Sequence, residues 1–386
     1  MTRDCDRPRR LADLPRTMTR RLAFALVMVA VMSAPSLAHE FGLNLHTGAG
    51  SSIDNQRISE IMRIRNIRNA RVDSWDLAQT RDVVTKVRAI GGRAEISLQI
   101  GFQWDHSCNA DHAAVERTAY DQTAAMVHQY KDLITDFEML NEVTLRPEIR
   151  QEVAPGAGTS ASAYAGKPCA ASLVAALRGM SRAIKDIRNI SGLPLRAILG
   201  AVNRDFGFLD FAKQNGVTWD VTGWHVYPWN HNASLLTDTW FGAGGPLAQL
   251  AQRGKPVRIN EFNCGETYGP DYENRTGAAA TETCLRSLAR HLKHLRSQRI
   301  VDLESVHIYE LLDEPAKPAP ENRFGVMYDL SRPKVHLYLV TAFAGGNLSA
   351  AERSEITTRG LLTDGEIDAM RLVPAPAAAA ASRGRN

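Results

Sequence analysis

Eight short apolar segments, each followed by a helical pattern, are the feature that most constrains how this chain folds. Parallel strands need long crossover connections, and a helix between successive strands supplies them. Eight such units over this length predict a closed (β/α)8 TIM barrel. The predicted strands are Phe41–His46, Ala70–Trp75, Ala94–Ile100, Phe137–Glu142, Arg196–Val202, Val221–Tyr227, Val257–Phe262 and Ser305–Leu311.

An open, doubly wound sheet is the alternative arrangement of the same units. A sheet of that kind that binds a dinucleotide carries G-x-G-x-x-G after its first strand. This chain has only Gly48-Ala49-Gly50 at that place. The closed barrel is therefore the favoured fold class.

The first 38 residues have the pattern of a secretory signal peptide. Arg20 and Arg21 precede an apolar run from Leu22 to Met32, and the small residues of Ser36-Leu37-Ala38 follow. A basic start, a short apolar core and small residues at the exit are typical of such a signal. The run is short for a bilayer span, which leaves an uncleaved anchor as the less favoured alternative. We expect a periplasmic or secreted protein without a membrane anchor after cleavage.

The formal net charge of +4 comes entirely from this early segment, which holds seven arginines and three aspartates. The rest of the chain has equal numbers of basic and acidic residues. A neutral body gives no electrostatic basis for binding nucleic acid or an anionic membrane. We therefore expect no nucleic-acid partner.

Four cysteines remain after the signal: Cys108, Cys169, Cys264 and Cys284. An even number in an exported protein allows two disulfides, with three possible connectivities. We favour Cys108–Cys169 and Cys264–Cys284, each of which would pin a loop. No pair has C-x-x-C spacing, which disfavours a zinc ribbon or a redox motif.

Domain boundaries follow from where the strand–helix alternation starts and stops. We expect the catalytic barrel over residues 39–346, a C-terminal extension over 347–373, and a disordered Ala/Pro-rich tail over 374–386. The segment Thr144–Ala171 is rich in Ala, Gly, Pro and Ser and comes soon after Glu142. Long loops after barrel strands shape the active face, so this segment is predicted to be a lid or a wall.

Two glutamates, each placed at the carboxyl end of a predicted strand, are the candidate catalytic residues. Glu142 follows Asn141 after the fourth strand, and Glu261 ends the seventh. Polar residues at such ends converge on one cleft of a barrel. Two carboxyls there can divide the work of glycoside hydrolysis: one protonates the leaving oxygen, and the other attacks the anomeric carbon or activates water. In a retaining enzyme they lie about 5–5.5 Å apart.

The two carboxyls need opposite charge states. Negative charge on Glu261 raises the pKa of Glu142 and keeps it protonated, and conversion of Glu261 to an ester lowers that pKa again. Tyr227, from the preceding strand, is a plausible hydrogen-bond donor to Glu261. Asn141 can hold a sugar hydroxyl beside the acid.

The remaining candidates are predicted to bind substrate, and each has a structural alternative. The set comprises Asn141, His225, Tyr227, Arg71, Trp104, Trp229 and Glu310. His225 can equally be a core histidine, and Arg71 a member of a buried salt bridge. Trp104 and Trp229 follow strand ends, whereas Trp224 and Trp240 are the less favoured aromatic platforms. Glu310 can bind a sugar hydroxyl or cap a loop.

These residues, taken in chain order, resemble the motifs of the clan A glycoside hydrolases. That clan has an Asn-Glu acid/base after strand four, His-x-Tyr on strand six, and a glutamate nucleophile on strand seven. Asn141-Glu142, His225-Val226-Tyr227 and Glu261 match those positions, and Arg71 is similar to the clan's supporting arginine. The resemblance covers roughly residues 40–345 and implies net retention without a cofactor or a metal.

The end of the barrel resembles family 39-like members, which include bacterial enzymes that cut exopolysaccharides. The matching stretches are Tyr309 to Pro315 and Arg323 to Val340. One departure concerns the tryptophan that many clan members place after strand eight, under the sugar at the cleavage point. This chain has Tyr309-Glu310 there, so the resemblance does not identify the sugar bound at the cleavage point.

The leading hypothesis is a retaining β-glycoside hydrolase that acts on a poly- or oligosaccharide outside the cytoplasm. A barrel that only binds carbohydrate, or a transglycosylase with the same glutamates, is the alternative. The chain lacks H-E-x-x-H, G-x-S-x-G and a P-loop, so metalloprotease, serine-hydrolase and nucleotide-binding activities have no motif in their favour.

Overall fold

The computed structural model describes residues 40–46, 54–74, 76–98, 108–228, 234–264, 278–318 and 321–371. Eight parallel strands within them form a closed barrel in chain order, and the last strand pairs with the first. This architecture confirms the predicted TIM barrel. The barrel strands are β1 Glu40–Leu45, β2 Asn69–Val72, β3 Arg93–Leu98, β4 Asp136–Met139, β5 Arg196–Val202, β6 Val221–Val226, β7 Val257–Phe262 and β8 Leu303–Ile308. A two-stranded antiparallel sheet, β9 Met327–Asp329 and β10 Arg332–Pro333, follows.

Helices connect the strands and cover the outside of the barrel. Aspartates cap the first three, since the side chains of Asp54, Asp76 and Asp111 accept hydrogen bonds from backbone amides of the first helical turn. The helices are α1 Asn55–Ile64, α2 Leu77–Ala89, α3 His112–Tyr130, α4 Pro147–Glu152, α5 Pro168–Ser191, α6 Phe206–Gln214, α7 Pro246–Ala251, α8 Ala278–Ser297, α9 Val335–Phe343, α10 Ala350–Thr358 and α11 Asp364–Arg371.

Strand β4 ends three residues before Glu142, earlier than the apolar pattern predicts. Leu140 and Glu142 both have positive φ angles, of 66° and 44°. A left-handed backbone at non-glycine residues breaks the extended conformation and costs energy that surrounding contacts must offset. The turn brings the Glu142 side chain back toward the barrel axis, where it contacts His225.

The segment predicted as a lid or wall contains α4 and a 3₁₀ turn at Ala161–Ala163, and its last residues belong to α5. Tyr164 is fully buried within it and packs its ring against Phe208 and Phe211. These contacts attach the segment to α6. Whether it acts as a lid or a wall stays a prediction.

Both favoured cysteine pairings lie at disulfide distance in the structure. Cys108–Cys169 joins the segment before α3 to the first turn of α5. Cys264–Cys284 joins the end of β7 to α8. Each link therefore ties a loop at the carboxyl end of the barrel to a helix.

The chain beyond residue 346 contains α10 and α11. Ser349 and Glu352 form a reciprocal capping box at the start of α10, and Arg65 reaches Glu352 over 2.7 Å. Residues 1–39 and 372–386 lie outside the described part of the chain, so the predicted signal and the whole predicted tail stay predictions. No helix of the described residues has the length and apolar character needed to cross a membrane.

The barrel interior is filled by ion pairs. Arg258 binds Glu95 over 2.8 Å, Glu304 over 2.8 Å and Asp136 over 3.3 Å. Barrel interiors of this fold are usually packed with branched aliphatic side chains. Here those side chains form the core between the strands and the surrounding helices instead.

Candidate active site

Glu261, at the carboxyl end of β7, lies at the centre of a buried polar cluster. Oε1 accepts a hydrogen bond from Arg71 over 2.8 Å, and Oε2 accepts one from the Tyr227 hydroxyl over 2.8 Å. Nδ1 of His225 lies 3.4 Å from Oε2. A register shift between β6 and β7 pairs His225 directly with Glu261, which explains their contact.

Glu142 faces Glu261 across the cluster. A carboxyl oxygen of Glu142, a carboxyl oxygen of Glu261 and a ring nitrogen of His225 all lie within 4.8 Å of one another. The side chain of Glu142 is 27% exposed, in contrast to buried Glu261. This arrangement leaves one carboxyl open to an incoming molecule and holds the other rigidly.

Arg71 organises the site from β2. Nε donates to Glu138 over 2.6 Å, Nη1 to Asn44 and Glu261 over 2.8 Å each, and Nη2 to Asn141 over 2.7 Å. Four of the five N–H donors of the guanidinium therefore have acceptors in this cluster. Arg71 was predicted either to contact substrate or to belong to a buried salt bridge. In the structure it belongs to a buried salt-bridge network.

His225 is buried between carboxylates from two strands. Its Nε2 lies 3.2 Å from Glu138, and its Nδ1 lies 3.4 Å from Glu142. Burial disfavours the charged imidazole, but the negative charge of Glu261 and the contacts with the other two carboxyls raise the pKa of His225 well above its usual value. The surrounding carboxyls therefore favour the protonated imidazole.

The surroundings shift the pKa values of the two facing glutamates in opposite directions. Burial and the negative charge of Glu261 raise the pKa of Glu142. Burial also opposes ionisation of Glu261, but the charges of His225 and Arg71 and the hydrogen bond from Tyr227 outweigh it and hold the pKa of Glu261 well below its usual range. Opposite shifts of this kind separate the roles of acid and carboxylate that acid-assisted substitution needs.

A second polar group lies where β1, β2 and β8 meet. Nδ1 of His46 is 2.8 Å from Asp73, and Nε2 is 2.9 Å from Glu310. Glu310 is only 1% exposed, whereas the His46 side chain is 27% exposed. Burial raises the pKa of Glu310 to about 7, with His46 opposing the shift. His46 is therefore the more accessible member of this group.

Tyr309 directly follows strand β8. Its ring centroid lies 6.2 Å from that of Tyr227 and 5.4 Å from that of His46. Lys317 donates a hydrogen bond to the Tyr309 hydroxyl over 3.1 Å. Tyr309 thus links the cluster around Glu261 to the group around His46.

The predicted aromatic contacts have mixed outcomes. Trp104 and Trp229 lie outside the described residues. Trp224 is fully buried and donates to the Asn203 carbonyl over 2.8 Å, so it is a core residue. Trp240 is 49% exposed, with the Arg204 guanidinium 4.8 Å from its ring centroid.

Six of the predicted site residues therefore meet in one cluster: Arg71, Asn141, Glu142, His225, Tyr227 and Glu261. Sequence reasoning missed Asn44 and Glu138. The signal for Glu138 was present, because it interrupts an apolar strand at a position whose side chain alternates to the barrel interior.

Within the part of the chain that the structure describes, two groups of side chains have ligand atoms close enough to hold a metal ion. They are Glu142, His225 and Glu261, and His46, Glu310 and Glu314. In the first group Arg71 and Tyr227 already bind Glu261, and in the second Lys317 pairs with Glu314. A cation would have to displace these partners.

No protein-family model matches the chain, and no curated protein matches it in sequence. Solved structures do match it. A family 1 β-glucosidase from Thermotoga maritima has a TM-score of 0.52 at 12% identity, covering 80% of this chain and 97% of its own. A β-glucosidase from Exiguobacterium marinum has a TM-score of 0.52 at 12% identity, covering 79% and 98%.

A third match is a calcium-binding mutant of Bacteroides uniformis β-glucuronidase 2. Its TM-score is 0.54 at 17% identity, and the alignment covers 80% of this chain and 34% of that one. At these identities the likeness shows the fold, a TIM barrel of the kind found in these glycosidases.

Proposed function

We propose that this protein is a retaining β-glycoside hydrolase with Glu142 as acid/base and Glu261 as nucleophile. The observation that carries the proposal is the facing pair itself, with oxygens within 4.8 Å and opposite charge environments. Carboxyls of retaining glycosidases lie about 5–5.5 Å apart, whereas inverting enzymes keep them further apart for a water molecule. The short separation favours double displacement.

In the first step, Glu261 attacks the anomeric carbon of the bound sugar. Glu142 donates its proton to the glycosidic oxygen, the bond from that oxygen to the anomeric carbon breaks, and an alcohol leaves. The sugar stays attached to Glu261 as an ester. Atoms and charge balance, since the proton lost by Glu142 neutralises the leaving oxygen.

In the second step, the same residues act in reverse. Once Glu261 is an ester, its negative charge no longer raises the pKa of Glu142, which then stays ionised and takes a proton from water. The resulting hydroxide oxygen attacks the anomeric carbon and releases Glu261. Two inversions give net retention.

The surrounding residues have supporting roles in this proposal. Tyr227 and Arg71 stabilise the Glu261 carboxylate, and His225 adds a positive charge beside both glutamates. Asn141 is proposed to bind a sugar hydroxyl next to the cleavage point, which requires it to share its amide with Arg71. Glu310 is proposed to bind sugar together with the more accessible His46.

Trp104 and Trp229 remain proposed stacking surfaces for the sugar chain, since indole rings suit the apolar faces of pyranoses. The substrate is proposed to be a poly- or oligosaccharide met outside the cytoplasm, in keeping with the signal-like first 38 residues. The family 39-like ending favours an exopolysaccharide. No cofactor takes part in the proposed mechanism.

The test uses Glu261→Ala with a panel of β-linked glycans and aryl β-glycosides. We expect hydrolysis to fall by at least about 10⁴-fold, because a nucleophile removed from a covalent mechanism is not replaced. Added azide should restore turnover of the aryl glycoside and give an α-glycosyl azide. Unchanged hydrolysis by the folded variant would rule out Glu261 as the nucleophile. Glu60→Ala, on the exposed face of α1, is the control substitution.

A further inference from the structure

Glu138 is a fully buried carboxylate that has no part in the steps above. It lies inside β4, with Oε2 2.6 Å from Nε of Arg71 and Oε1 3.2 Å from Nε2 of His225. These are the two cations that contact Glu261. Glu138 therefore joins the two cations from the side opposite the nucleophile.

An ionised carboxylate inside a barrel is costly unless it is paired and hydrogen-bonded. The carboxyl oxygens of Glu138 have these partners, Arg71 on β2 and His225 on β6. Burial opposes its ionisation, but Arg71 and His225 lower its pKa to about 2. These two partners therefore favour an ionised carboxyl of Glu138 inside the barrel.

The charged groups around His225 come from three strands. Glu138 and Glu142 approach from the β4 side and Glu261 from β7, while Arg71 on β2 contacts both Glu138 and Glu261. Glu142 must give up its proton and Glu261 its charge during the proposed reaction. Glu138 is the one carboxylate against His225 whose charge stays constant through the cycle.

We propose that Glu138 is a positioning residue that keeps His225 protonated and aims Arg71 at Glu261. The inference deepens the proposed function and rests on it. Without the Glu138 charge, a buried imidazole loses its permanent counterion, and Arg71 loses the acceptor that fixes the rotation of its guanidinium plane.

Glu95 provides a matched control. It is a buried carboxylate on the neighbouring strand β3, it pairs with Arg258 over 2.8 Å, and it lies 3.9 Å from Arg71. Glu95 does not contact His225 among the described residues. Burial raises the pKa of Glu95 to about 7, so Glu95→Gln tests the loss of a buried, arginine-paired carboxyl that does not contact His225 among the described residues. If Glu138→Gln acted only through a loss of that kind, the two variants would behave alike, whereas the positioning role predicts different effects.

The experiment follows the His225 ring in ¹⁵N-histidine-labelled protein, with His225→Gln to identify its signal. In Glu138→Gln the ring should lose its proton at a lower pH than in the wild type, because an anion that favours the charged form is gone. Glu95→Gln should leave this titration in place. For the aryl glycoside that the wild type turns over, kcat should fall about 10- to 100-fold with KM little changed.

Glu138→Asp keeps the charge but is one methylene too short to reach both cations. Its His225 titration should lie between those of the wild type and Glu138→Gln, and this variant carries the test alone if the glutamine variant does not fold. A His225 titration unmoved in either variant, or moved equally by Glu95→Gln, would overturn the proposal. The NMR result stands even if the wild type hydrolyses no glycan, so the two proposals fail separately.

Discussion

The Tyr227 hydroxyl donates a hydrogen bond to Oε2 of Glu261 over 2.8 Å. The other oxygen of the same carboxyl accepts from Arg71. Both oxygens are thus held by donors that favour the ionised form. A carboxylate held in this way is poised in charge and orientation for attack, and the hydrogen bond from Tyr227 can be removed without altering the shape of the side chain.

Tyr227→Phe should lower kcat/KM for an aryl glycoside about 10- to 100-fold, because a hydrogen bond to a charged group contributes about 1.5–3 kcal/mol. The hydrogen bond lowers the pKa of Glu261, so its removal raises that pKa and shifts the acidic limb of the pH–rate profile upward. Steady-state kinetics across pH measure both effects. Tyr120→Phe, which removes a hydroxyl bonded to Asp186 on the outer helices, should change neither.

The pH dependence of turnover should report the proton on Glu142. Burial and the charge of Glu261 raise the pKa of Glu142. The protonated form of Glu142, which acts as the acid, is present below that pKa and disappears as pH rises through it. kcat/KM should therefore fall on the alkaline side, and Glu142→Gln should abolish that limb. The variant should keep more activity toward aryl glycosides with good leaving groups, which need little protonation.

Glu261→Gln should lower the pKa of Glu142, since the neighbouring negative charge is gone while burial is unchanged. The variant is expected to be inactive, so the pKa is measured from the carboxyl carbon of Glu142 in ¹³C-glutamate-labelled protein. An unchanged or higher pKa in this variant would contradict the charge coupling between the two glutamates.

The Cys264–Cys284 link should stabilise the folded chain. The two cysteines are 20 positions apart, and closing a loop of that length in the unfolded chain is worth about 3 kcal/mol. Replacing both cysteines by serine should lower the free energy of unfolding in urea by about that amount. The Cys108–Cys169 pair, 61 positions apart, should give a somewhat larger loss of about 4 kcal/mol. Equal unfolding midpoints for variant and wild type would show that the links carry no stability.

Gly42→Ala should destabilise the barrel by about 1–3 kcal/mol through overpacking. A Cβ at this position would lie 2.3 Å from Cδ2 of His307 and 2.7 Å from the Asn69 carbonyl oxygen. The control is Gly365→Ala in α11, where nothing lies within 4 Å of the added carbon. That change should be neutral or raise stability by up to about 1 kcal/mol. Thermal or urea unfolding of both variants measures the contrast.

Much of the barrel was predictable because strand and helix leave different periodicities in a sequence. All eight strands were located, and β5 and β7 have the predicted bounds. The predicted fourth strand extended to Glu142, whereas β4 ends at Met139. The residue types of Leu140 and Glu142 gave no signal of a strand end, but both adopt left-handed backbone angles. Their conformation depends on contacts with other strands, and a local pattern does not record those contacts.

The sequence by itself determined the order of strands and helices and the positions of the two glutamates, one after the fourth strand and one at the end of the seventh, because both follow from local spacing and residue type. Only the tertiary structure decided that Glu138 joins Arg71 to His225, that Trp224 is a core residue, and which cysteine pairs lie at disulfide distance. Contacts of this kind depend on distances between side chains remote in the chain, and those distances exist only once the barrel closes.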